Sequence, residues 1–211
     1  MNVLVDVSSN KVIPRMMAAL GAEGRSDLYA VAVEDLANFI TAHIASYAPS
    51  KHRTAHAFGA RPTGHYEKGM AAIGTSASAD GGTVTIPIPG ISRAWGAIEI
   101  TPRRANRLTV PLSSAGETVY GKTVGELRAL GWKFFQGQKG HDAEDILFGY
   151  RGKGKDRETK AMFVLKTVVA LDQDASLLPS KEAISKRAAN AMVRRIMDVV
   201  RKARTEMEKT A

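Results

Sequence analysis

The sequence predicts an α+β protein: a central, mostly antiparallel sheet with an N-terminal helical region and a long C-terminal amphipathic helix. Three observations carry that reading. Apolar residues recur at steps of three and four over 28–47 and again over 184–207, the period of a helix with one buried face. Between them the period falls to two, with Val84, Ile86 and Ile88 alternating with Thr85 and Pro87 as in a half-buried strand. Pro87, Pro89, Pro102 and Pro111 mark edges, bends or ends of such runs, because proline cannot donate to a ladder. Helices, then strands, then a helix is an α+β order.

Residues 2–7 form a short β-like run, ended by Ser8, Ser9 and Asn10. A short helix is expected over 11–20, with Pro14 early enough to be tolerated and Gly21 at its close. A longer helix begins after Ser26, an N-cap type, with Asp27 in its first turn. Its apolar face is Leu28, Val31, Ala32, Leu36, Phe39, Ile40, His43, Ile44 and Tyr47, and Pro49 ends it. Another short helix is expected from Pro62 through Met70 to about residue 73. Strands follow over 83–88, 97–101 and 108–112, with Asp80, Gly81 and Gly82 as a turn signal.

A short helix near 123–130 precedes two strands, 132–135 and 146–150, which flank a polar glycine-rich loop at 137–145. The run 161–171 reads as one further strand, preceded by a basic glycine-rich loop at 151–160. Ser180 can cap a last helix from Lys181, with an apolar stripe of Ile184, Ala188, Met192, Ile196, Val199, Ala203 and Met207. Residues 1–211 therefore read as a single domain. It has a helical part over 1–75, a β-rich core over 76–178 with exposed loops at 137–145 and 151–160, and a basic helix over 179–211.

The chain is 44% hydrophobic, ordinary for one that buries a core, so wholesale disorder is excluded. Zero cysteines exclude a disulfide scaffold, a Cys-ligated zinc site, an iron–sulfur cluster and thiol catalysis. No apolar run approaches the roughly 18 residues of a membrane helix. Met1 to Asp6 has no basic region leading into an apolar block, so neither a secretory leader nor a membrane partner is expected. The expectation is a soluble, basic, intracellular-type protein. Its charge of +9 is unevenly spread. Residues 181–211 hold nine basic and four acidic groups, net +5, whereas 1–60 hold five of each. Arg151, Lys153, Lys155 and Arg157 form a second basic knot. Such a distribution argues for a charged face or tail.

The sharpest motif is 116–123, which satisfies the spelling G-x-x-x-x-G-K-T of a phosphate-cradling loop. A nucleotide hydrolase built on it would use Lys122 and Thr123, with Asp172 as a metal-binding aspartate. Against this, Glu117 would repel a phosphate, and the helix that follows contains Gly125 and stops at Gly131. The alternating, proline-edged strands are also not the continuous apolar strands of a parallel nucleotide-binding sheet. The segment reads as a loop that happens to spell the motif.

His52 and His56 stand four apart with His65 nearby, but no carboxylate has matching spacing, so no metal site is assigned. His43, on an apolar helix face, reads as a satisfied core histidine. There is no nucleophile elbow, and Asp142, Glu144 and Asp145 read as solvated loop acids. No catalytic, cofactor-binding or metal-binding residue is therefore assigned, and the expectation is a protein that is not an enzyme. A basic helix over 181–204 would suit a small DNA-binding accessory protein gripping phosphates without reading sequence. Aromatics are sparse, 6%, and few lie among the basic groups along the chain, so a single-strand stacking platform is not expected.

The stretch 53–68 (Arg-Thr-Ala-His-Ala-Phe-Gly-Ala-Arg-Pro-Thr-Gly-His-Tyr-Glu-Lys) resembles the segment after the N-terminal helix in virion-morphogenesis and neck proteins of tailed bacteriophages. The likeness continues in patches through 84–93, 98–102, 108–112, 120–122, 163–168 and 174–179 to the closing helix. It implies a structural virion protein without catalytic residues or cofactor, acting in head–tail joining or tail completion. It implies a homo-oligomeric ring at the neck or tail end, assembled in the bacterial host cytoplasm and resident in the virion. Its partners would be neighbouring neck, tail-terminator or connector proteins, together with passing double-stranded DNA contacted without sequence specificity.

Overall fold

The structure, a computed structural model, describes residues 2–4, 20–47, 53–61, 64–103, 105–139 and 144–210. The fold is α+β with antiparallel strand pairing throughout. Contacts gather in two compact units, one of residues 1–48, 65–96 and 174–211, the other of 49–64 and 97–173.

The first unit is organised by two long helices, α1 (Ala22–Tyr47) and a C-terminal helix (Lys181–Thr210). α1 begins one turn earlier than Ser26 would place it. Ala22 and Glu23 are good helix formers, Glu23 sits in the positive first turn, and the Arg25 amide already donates to the Gly21 carbonyl at 3.1 Å. Ser26 is therefore an interior residue. Leu28, Ala32, Val33, Leu36, Ile40, Ile44 and Tyr47 form its buried face. The helix expected over 11–20 lies outside the described residues, as does Pro62. Of the helix expected over 62–73, the segment His65–Met70 is helical (α3, after the short α2 at Arg53–Ala57 of the second unit).

A three-stranded sheet joins the first unit in the order β1 (Asn2–Leu4), β3 (Gly81–Thr85), β2 (Gly74–Ser78). β2 was invisible as a strand because it reads Gly-Thr-Ser-Ala-Ser, with no apolar alternation. Gly81 and Gly82, expected in a turn, belong to β3, and residues 79 and 80 make the turn. Packing is the reason: a Cβ at Gly82 would stand 2.4 Å from Val33 Cγ1, so only glycine lets β3 pass against α1. Val84, Ile86 and Ile88 then enter the core beside α1, with Leu177, Leu178, Ile184, Ala188 and Met192.

The second unit holds a four-stranded sheet, β5 (Leu108–Pro111), β8 (Glu158–Lys166), β7 (Glu144–Arg151) and β6 (Lys133–Lys139) in that order. A two-stranded sheet pairs β4 (Ile98–Ile100) with β9 (Val169–Leu171). The run 161–171 is thus two strands serving two sheets, broken at Thr167 and Val168. The expected loop 137–145 is largely ladder, with Gln138 opposite Asp145 and Lys139 opposite Glu144. Residues 140–143 lie outside the described residues. The loop expected over 151–160 shrinks to 152–157 between strand ends.

A register shift between β7 and β8 sets Leu147 opposite Phe163 but Phe148 opposite Ala161, leaving Met162 as the extra residue. The bulge delivers both Met162 and Phe163 into a core shared with Phe58, Leu127 and Trp132. Gly149 makes room: a Cβ there would meet Met162 Sδ at 2.4 Å. The helix α4 (Val124–Ala129) closes this core through Leu127. The C-terminal helix, Lys181–Thr210, is α5.

Candidate interaction surface on the C-terminal helix

Ser180 caps α5 as expected, its Oγ accepting from the Ala183 amide at 3.1 Å. The preceding turn is held by one carboxylate. Asp174 accepts from the Tyr47 hydroxyl at 2.6 Å and from the Ser176 hydroxyl at 2.6 Å, with Arg93 at 3.7 Å. His43 Nε2 lies 2.9 Å from the Ser176 carbonyl, consistent with a histidine satisfied by structure. Tyr66 stands edge-on to Tyr47, and its phenol pKa is raised, first by burial and then by Asp174 against the opposing Arg93.

Helix α5 runs antiparallel to α1. Arg187 donates to both carboxylate oxygens of Asp35, at 2.5 and 2.8 Å. Arg194 reaches the same carboxylate at 3.4 Å, and Arg195 donates to Asp27 at 2.7 Å. The Asp35 carboxylate raises the Arg187 pKa, and Asp27 does the same for Arg195. Part of the basic excess over 181–204 is therefore an internal clamp on α1, and further along Arg201 pairs with Asp198 and Arg204 with Glu208 within the helix. That leaves less of the helix for gripping phosphates than its charge suggested.

The two ion pairs also set a register. Eight residues on α5, from 187 to 195, correspond to eight on α1, from 35 back to 27, so α1 starts opposite about residue 200. Residues 201–210 run past that start by about 15 Å at the α-helical rise. Every described residue from Met197 to Lys209 is exposed. Val193, Met197, Val200 and Met207 form an exposed apolar stripe at steps of four, three and seven, which is a heptad seam interrupted only by Arg204. Beside it Leu20, Gly24 and Leu28 face Ile196, Val199 and Val200 across an apolar cleft of about 310 Å³.

The other sequence candidates have local explanations. Lys122 turns its ammonium onto its own loop, donating to the carbonyls of Glu117 at 2.8 Å and Thr118 at 3.2 Å. Thr123 is the N-cap of α4, in a reciprocal box with Glu126. β5, ahead of this segment, pairs antiparallel with β8, and Asp172 follows β9 in the other sheet. Lysine, threonine and aspartate are thus not arranged around a phosphate. His56 and His65 are exposed, and His52, His141 and Asp142 lie outside the described residues. Among the described residues no three His, Asp or Glu side chains converge as metal ligands, and no helix is long and apolar enough to cross a membrane. No protein family, curated protein or solved structure matches this chain.

Proposed function

We propose that the protein is a structural virion subunit of a tailed phage that assembles into a homo-oligomeric ring at the head–tail neck or tail end. The observation that carries the reading is the overhang of α5. A helix clamped by ion pairs along its first half presents, over its second half, an apolar stripe that this subunit does not cover among the described residues. Exposed contiguous apolar surface of this kind marks an interaction site. The neighbouring copy is the natural occupant, because the stripe runs beside α1 at Val193, Met197 and Val200 and on past the start of α1 to Met207, where a second copy would cover it. Each copy would offer a projecting helix and receive one, the arrangement that closes head-to-tail rings. The family likeness of 53–68 and the later patches agrees with this role and supplies its location, the virion. Neck, connector or tail-terminator proteins would flank the ring.

The test is light scattering with negative-stain microscopy of the full chain. The expected result is a closed ring, lost in a Met197→Glu, Val200→Glu double variant that keeps its circular dichroism and melting temperature. A wild-type chain that stays monomeric at high concentration, alone and with neck partners, would overturn the reading. A nucleotide hydrolase would instead reveal itself as ATP or GTP turnover abolished by Lys122→Ala.

A further inference from the structure

The two faces of the four-stranded sheet differ in a way that core formation does not explain. Phe134 and Leu147 turn inward to pack on the core of Trp132, Met162 and Phe163. On the other face the ladder sets Lys133 opposite Tyr150 and Phe135 opposite Phe148. Phe135 is 42% exposed and lies nearly parallel to Phe148, 12° between planes and 5.3 Å between ring centres, with Tyr150 6.0 Å away. Gly137 keeps this platform low, since a Cβ there would press the Phe148 ring at 3.0 Å.

Cations gather at the Tyr150 end of the rings. The Arg157 guanidinium sits 4.2 Å over the Tyr150 ring. Lys133 stands on the same face, and Lys153 and Lys155 are exposed on the β7–β8 loop at the Tyr150 end. Asp156 is the acidic residue of that loop. Glu158 belongs to the opposite face, where Lys160 and Arg151 hold its carboxylate at 2.7 and 2.9 Å and lower its pKa. Folding therefore sets the Lys133 and Phe135 strand against the segment of Phe148, Tyr150 and Arg157.

We infer that this face binds single-stranded nucleic acid, a base stacking on the exposed Phe135 ring and the phosphates meeting Arg157, Lys133, Lys153 and Lys155. Both halves of the surface bear on the choice of ligand. Phosphates complement the cations, but a duplex keeps its bases stacked inside and would leave the exposed Phe135 ring idle. Unpaired bases present the π-faces that aromatic rings take without regard to sequence. Cross-strand aromatic pairs do stabilise sheets, yet that role calls for neither the exposure of Phe135 nor the cations at the Tyr150 end. The inference stands on the second unit alone and does not rest on the ring reading.

The test is fluorescence anisotropy of a labelled oligothymidylate titrated with the full chain at low salt, beside a duplex of equal length. Binding of the single strand is expected, weakened roughly fivefold or more by Phe135→Leu, which keeps apolar bulk but removes the π-face. Arg157→Gln and Lys155→Gln should each flatten the slope of log affinity against log salt by about 0.7. Absence of binding, unchanged affinity in Phe135→Leu, or equal binding of duplex would each overturn the inference. So would a change of oligomeric mass in these variants, which would make the face a contact between copies. Phe135→Leu is a surface change, and a matching melting temperature certifies its fold.

Discussion

The two long helices carry the same signal in sequence and meet different fates in the structure. α1 buries its apolar face from Leu28 to Tyr47, nearly end to end. α5 is four residues longer, yet among its described residues the buried ones are Ile184, Ala188, Ala191 and Met192, all in its first half. Beyond them the expected stripe reaches solvent at Val199, 46% exposed, and Met207, 67%, while Val193, Met197 and Val200 expose a second apolar row on the side of the helix away from its buried residues. An apolar period reports that a face wants cover; it does not report whether the cover comes from the same chain. The difference separates residues that hold the fold from residues available for assembly.

The strongest way to break that comparison uses one residue type at two positions five apart. Met192 is fully buried in the core with Leu36 and Ile40, whereas Met197 is 60% exposed. Met192→Ala should cost about 2–5 kcal/mol through lost burial and the cavity left behind. Met197→Ala, melted at a concentration too low for association, should stay within about 0.5 kcal/mol of wild type. Urea melts of both variants decide it. Equal losses would mean that the distal half is held by its own chain after all, and the proposed assembly surface would go with it.

A middling effect is expected where α1 meets the sheet. Gly82 lies against Val33, which is itself nearly inaccessible and has no room to retreat. Gly82→Ala should therefore destabilise by about 1–3 kcal/mol as overpacking, while Gly81→Ala, with nothing within 4 Å of the added methyl, should do far less. Thermal melts of the two neighbours would show whether β3 needs glycine for packing or for a turn.

That glycine pair also marks the limit of what the sequence made legible. The α+β class, both long helices and the Ser180 cap followed from period and capping alone, because each is a local property of the residues concerned. Gly81 and Gly82 read locally as a turn, and only α1, some fifty residues upstream, explains them as strand. β2 lacked any apolar alternation, so nothing local could announce it. The apolar run 161–171 gave no local sign of the break at Thr167 and Val168, where β8 and β9 leave for different sheets. Val199 and Met207 belonged to the expected stripe of α5, but the exposed row Val193, Met197 and Val200 lay outside it, because a single apolar period marks one face of a helix and these residues lie on another. The aromatic face was the least legible feature, since Phe135, Phe148, Tyr150 and Arg157 meet only through strand register. Judged along the chain, aromatic and basic groups looked separate; across the ladder they are neighbours.

The smallest effect concerns how helices of different length begin. α5, of 30 residues, starts with a single side-chain cap from Ser180, whereas α4, of six, carries a full reciprocal box. In that box the Thr123 amide and hydroxyl donate to Glu126 Oε2 at 2.6 and 2.9 Å, and the Glu126 amide donates back at 3.2 Å. A six-residue helix has few internal hydrogen bonds to offset its nucleation, so its ends matter proportionally more. The hydrogen bonds from the Thr123 amide and hydroxyl hold the Glu126 carboxyl below the ordinary glutamate pKa, with Lys122 adding to them. A depressed folded-state pKa means stability that is complete above the ordinary value and lost as pH falls through the lowered one. Wild type and Glu126→Gln should therefore differ slightly in melting temperature at neutral pH and converge in acid below the glutamate range. Thr123→Ala, which removes the cap itself, should cost about 1 kcal/mol, and at Ser180 the same change should be diluted by the length of α5. A Glu126→Gln difference that stayed constant down the acid limb would show that its carboxylate charge contributes nothing to the box.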